Sequence, residues 1–75
     1  MYRIKKDVNL EILKEYGFKK LETVEGIYEK IVGETQYFVG EGSNVLGIVN
    51  RKKYKVNIDT LYELIKDGLL EKAQW

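Results

Sequence analysis

The chain has 75 residues, 44% apolar and 33% charged, with 13 basic against 12 acidic side chains and a formal net charge of +1. Cysteine and histidine are both absent, which excludes disulfide staples, Cys/His zinc sites, a cysteine nucleophile and any serine–histidine pairing. A chain this short supports one domain, whose single core supplies only ~3–5 kcal/mol of net stability. No run of ~18 apolar residues and no charged-then-apolar leader is present, so an intracellular, cytoplasmic protein without a membrane span is expected.

In chain order, the alternating "YRIK" at residues 2–5 reads as a short strand. "DVNLEILKEYGFKK" then predicts a helix over 7–17. Asp7 is placed to cap its first turn, and Gly17 to stop it in the left-handed region. Val8, Ile12, Leu13 and Tyr16 supply the apolar positions, interrupted by Asn9. Residues 18–24 offer a further short strand, with "VEG" as the turn that follows. The next stretch is rich in Ile, Val, Tyr and Phe, which suit a pleated, half-buried surface. It predicts strands near 27–32, 36–40, 45–50 and 53–58, with turns at "GE", "GEGSN" and "RKK". Asp59 is expected to cap a second helix over 59–68, ended by Gly68. Leu61, Leu64 and Ile65 share one face of that helix, and Glu63, Lys66 and Asp67 the other.

The two helical stretches resemble each other. Leu10 and Leu13 match Leu61 and Leu64, Gly17 matches Gly68, and each glycine is followed by an apolar residue, Phe18 or Leu69. A repeated unit of strand, Asp cap, helix and Gly stop is therefore expected near 2–18 and 54–70, flanking a strand-rich middle. The predicted fold is a single α+β domain over 1–75. It is mainly an antiparallel β-meander, with two short capped helices packed on one face.

Catalytic motifs are missing. Ser43, the sole serine, sits in "GEGSN", which is no nucleophile elbow. Gly40-Glu41-Gly42 has Val45 where a dinucleotide loop needs its third glycine, and no Lys-Ser/Thr ending follows. The carboxylates form no metal-binding loop pattern. No enzymatic activity, cofactor or metal is expected.

Charge is unevenly spread. Residues 1–20 and 51–75 are net basic and residues 21–50 net acidic. The densest basic cluster is "RKKYK", with Arg51, Lys52, Lys53 and Lys55 around Tyr54. Four cations beside an aromatic ring suit a nucleic-acid backbone with a stacked base. The same lysines equally suit a solvated turn that resists edge-to-edge aggregation, and a net charge of +1 gives little long-range field. Only if "YRIKK" lay beside "RKKYK" would the local field rise. Six tyrosines cannot all be buried in so small a core, which favours some exposed aromatic surface.

"RIKKDVNLEILKEYGF" and "VNIDTLYELIKDGLLEKA" resemble segments of small proteins of Gram-positive bacteria and their prophages, a group with no assigned activity. The residues that carry the resemblance are Lys6, Asp7, Val8, Leu10, Leu13, Tyr16, Gly17 and Phe18, then Asp59, Leu61, Tyr62, Leu64, Ile65, Gly68, Leu69, Glu71 and Lys72. They cover under half the chain and are caps and core positions, so the resemblance implies a fold and no chemistry. The late stretch also looks like the close of a winged helix, but strands are expected where a helix-turn-helix needs its other helices.

The expected function is a small non-catalytic, prophage-type module that binds a protein, or a second copy of itself, through a sheet edge or a tyrosine-rich face. A nucleic-acid-binding accessory role through Arg51–Lys55 is the alternative.

Overall fold

The computed structural model describes residues 1–52 and 55–73. Its elements run β1 (Tyr2–Ile4), a 3₁₀ helix (Leu10–Tyr16), β2 (Lys19–Lys20), β3 (Ile27–Val32), β4 (Thr35–Gly40), β5 (Leu46–Asn50), α1 (Asp59–Lys66) and β6 (Leu70–Lys72). Strands β2, β3, β4 and β5 form an antiparallel sheet in chain order, and β1 pairs antiparallel with β6. The predicted α+β fold with its antiparallel meander is the fold observed.

The two sheets are stitched at one corner. Arg3 bridges Val45, and the Ile4 amide donates to the Asn44 carbonyl at 2.8 Å. Asn44, buried and at φ 59, returns its side-chain amide to the Ile4 carbonyl at 3.3 Å. Asparagine is among the few residues that tolerate this left-handed geometry.

Burial alternates down β4: Thr35, Tyr37 and Val39 point inward, and Gln36, Phe38 and Gly40 outward. The core joins that inner face to Ile4, Leu13, Phe18, Tyr28, Leu46, Leu64 and Leu69. Phe18 meets Tyr37 edge to face, with ring centroids 6.3 Å apart. Both helices contribute to this one core, through Leu13 and Leu64.

The repeat survives at the helix ends and fails at their beginnings. Gly17 and Gly68 have φ of 90° and 73°, left-handed as expected. The Phe18 amide donates to the Leu13 carbonyl at 3.1 Å, and the Leu69 amide to the Leu64 carbonyl at 3.0 Å. This is the bond that closes a glycine-terminated helix. Neither aspartate is an N-cap, however. Asn9 caps the first helix, its side chain accepting the Glu11 amide at 3.0 Å. Asn57 accepts the Asp59 amide at 3.0 Å, so Asp59 lies inside the helix as its first residue. Each asparagine follows a valine, and its short amide reaches the backbone two residues on. Asp7 lies in the turn before this cap. The first helix spans 10–16 rather than 7–17 and is 3₁₀. Three residues per turn bring Leu10, Leu13 and Tyr16 onto one stripe.

Two other expectations are corrected. Of the strand expected over 53–58, residues 53 and 54 lie outside the described residues and 55–58 form no strand, the backbone groups of Asn57 being taken by side chains and the Ile58 carbonyl by the Tyr62 amide of α1. The Asn57 amide donates to Thr35 Oγ1 at 2.8 Å, and its carbonyl accepts the Tyr37 hydroxyl. The second unit therefore has its strand, β6, after the helix instead of before it. On α1 the buried pair is Thr60 and Leu64, while Ile65 is 48% exposed. No helix among the described residues is long and apolar enough to cross a membrane.

Candidate functional site

Register identifies what shares the outer face of the meander. Glu29 lies opposite Phe38 and Phe38 opposite Gly47; Ile31 lies opposite Gln36 and Gln36 opposite Val49; Ile27 lies opposite Gly40. The outer side of a one-layer antiparallel sheet is ordinarily polar. Here it carries Ile27, Ile31, Phe38 and Val49, and Ile31 and Val49 are 52% and 50% exposed. Two glycines flatten its floor. A methyl on Gly47 would meet the Phe38 ring at 3.6 Å, and one on Gly40 would meet Ile27 Cδ1 at 3.7 Å. Both large side chains therefore lie down over a neighbouring glycine. The polar pair at the centre satisfies itself, Gln36 Nε2 donating to Glu29 Oε2. A partner covering this face would not have to hydrogen-bond that pair.

Among the described residues, which exclude Tyr54, three tyrosines are tied up in hydrogen bonds instead of forming one exposed face. The Tyr16 hydroxyl donates to Asp67 Oδ2 at 2.5 Å, that of Tyr28 to Glu11 Oε2, and that of Tyr37 to the Asn57 carbonyl. Carboxylate acceptance and burial push Tyr16 and Tyr28 up to about 12. Burial is the main cause that raises Tyr37. Glu11 is held below its usual value, chiefly by the Tyr28 hydroxyl and then by Lys14. Tyr28 fastens the 3₁₀ helix and Tyr37 the 55–58 segment to the sheet, and Tyr16 ties the 3₁₀ helix to the end of α1. Tyr2 and Tyr62 are left exposed, at 40% and 65%.

The basic cluster is placed only in part. Arg51, Lys52 and Lys55 are exposed, and Lys53 and Tyr54 lie outside the described residues. The Arg51 amide donates to the Glu34 carbonyl at 2.9 Å, at the β3–β4 turn. "YRIKK" is at the other end of the meander, where Lys6 Nζ donates to the Gly42 carbonyl. The six residues of β4 separate the two ends by roughly 17–20 Å. About two Debye lengths at physiological salt intervene, so the two segments do not add their fields.

A shallow groove of about 540 Å³ runs beside β2 and β3, lined by Gly17, Lys19, Lys20, Glu29, Lys30 and Ile31 among others. Lys20 is paired with Glu41 at 3.2 Å and Glu29 with Gln36. Among the described residues no three carboxylates converge as a metal site. The proposed cap residues Asp7, Gly17, Asp59 and Gly68 are scattered structural positions and do not form a site.

The outer face had a readable signal. In "IYEKIVGETQYFVG" apolar residues occupy both parities of the strand, Tyr28 and Val32 on one and Ile27 and Ile31 on the other. A strand with water on one side needs only one apolar parity. No protein-family model, curated protein or solved structure matches this chain.

Proposed function

We propose that this chain is a small non-catalytic protein-binding module whose docking surface is the outer face of the meander. The observation that carries this reading is the placement of Ile27, Ile31, Phe38 and Val49 on the solvent side of a sheet. Apolar surface gathered this way is characteristic of interaction sites. Its chemistry fits a protein presenting a compact aliphatic or aromatic patch, with a positive charge at the rim where Lys19 stands on the edge strand β2. A rigid face flattened by Gly40 and Gly47 loses little conformational entropy on docking.

Substituting Ile31→Lys and Phe38→Glu separately tests this. Each variant should stay folded by circular dichroism and lose the partner that tagged wild type retains, with affinity falling by about tenfold or more. Binding of that partner should also show a negative heat-capacity change, which follows burial of apolar surface. Undiminished binding by both folded variants would place the docking surface elsewhere.

A further inference from the structure

Helix α1 is apolar on the side turned away from the core. Its inner side is set by Thr60 and Leu64, which are 2% and 0% exposed. Ile58, Tyr62 and Ile65 are 56%, 65% and 48% exposed, and their spacing of four and then three residues sets them in one stripe. Along one flank of that stripe stand Asp59 near the helix start and Lys66 at its end, two turns apart. Both are exposed, and among the described residues neither side chain has an ion-pair partner.

This arrangement is self-complementary. When two helices pack antiparallel across a two-fold axis, residues on one flank meet the same flank of the other copy in reverse order. With the axis near Tyr62, Asp59 falls against the partner's Lys66 and Lys66 against the partner's Asp59. Ile58 then faces the partner's Ile65, and the two Tyr62 rings meet at the centre. In a parallel two-fold pair this charged flank would face the opposite flank of the partner, and the two charges would not meet.

We infer that α1 is a dimerisation element, and that its occupant is α1 of a second copy of this chain. An eight-residue helix covers less than the ~800 Å² per partner of a standard interface. The dimer is therefore a weak one, formed above micromolar concentration. Because α1 packs on the inner side of the meander, such a dimer leaves both outer sheet faces free. Two weak docking events on one bivalent partner then reinforce each other.

The test is sedimentation equilibrium from ~10 μM to ~1 mM, a range set by weak interfaces of this size. Wild type should shift from monomer toward dimer, and Ile65→Lys should remain monomeric. Asp59→Lys and Lys66→Glu, each alone, set like charges together at both ends and should weaken self-association by about tenfold. Mixed with each other, those two variants have opposite charges at both ends and should form a heterodimer. That rescue cannot come from misfolded chains. Ile31→Lys should dimerise as wild type does, which keeps this inference separate from the outer-face reading. A folded wild type that stays monomeric at ~1 mM overturns the inference, as does a mixture that associates no better than either variant alone.

Discussion

Leu13 and Leu64 hold the same place in two different helices. Each is fully buried, and each accepts the amide of the residue after a left-handed glycine, Phe18 at 3.1 Å and Leu69 at 3.0 Å. The glycine turns the chain back so that the next apolar side chain enters the same core as the leucine. Replacing Gly17 or Gly68 by alanine should cost about 1 kcal/mol, and by valine more. Open space surrounds the Gly68 position, whereas a side chain at Gly17 would press on Lys30 Cε at 3.1 Å. The Gly68 variants therefore report backbone strain alone, and the Gly17 variants add to it only the displacement of the flexible Lys30 end. Chemical denaturation of the paired variants measures both.

Thr35 clasps the crossing segment to the sheet, donating to Asn50 Oδ1 and accepting the Asn57 amide, both at 2.8 Å. Thr35→Val keeps the shape and removes both bonds, so it should cost about 1–3 kcal/mol. Amide exchange should show Asn57 losing protection first.

The tyrosine–carboxylate pairs give the protein a window of pH stability. Tyr16 and Tyr28 sit above their ordinary value, at about 12. Their contribution is complete below about pH 10, where the unfolded tyrosines begin to ionise, and is lost as pH rises through about 12. Glu11 sits below its usual value. Its contribution is present above that usual value and is lost as pH falls through the lowered one. Tyr28→Phe should narrow the difference in unfolding midpoint between pH 9 and 11.5, as followed by thermal melts.

Some of this was legible in the chain and some was not. The β3 boundaries, the Gly33–Glu34 turn and both terminal glycines follow from local residue chemistry. The helix starts depart from the aspartate pattern because Asn9 caps the first helix, while Asn57 takes the Asp59 amide and leaves Ile58 at the N-cap of α1. Residues 55–58 have the composition of a strand, yet the Thr35 and Tyr37 side chains take both backbone groups of Asn57. Strand β6 is a three-residue piece whose strand partner among the described residues is β1, 68 positions away at Arg3 and Glu71, and no local signal announces it. The outer face required register, since parity shows which residues share a side but not which side has water.

The separated basic segments make a prediction for nucleic acid. Binding at physiological salt should be no tighter than about micromolar, the range of non-specific contact. Neutralising Arg51, Lys52 and Lys55 together should leave the fold and the partner interaction intact. A salt titration of wild type checks this: a submicromolar dissociation constant, with a slope lost in the triple variant, would restore the nucleic-acid reading.

The claim that the outer sheet face is the docking surface is tested most directly by photo-crosslinking in the source cell, with a photoreactive side chain at Val49 and a control at Glu15 on the 3₁₀ helix. Val49 should capture one discrete protein that Glu15 does not, and Phe38→Glu in the same chain should abolish the capture. The same products from both positions, or a Val49 product that survives Phe38→Glu, would contradict it.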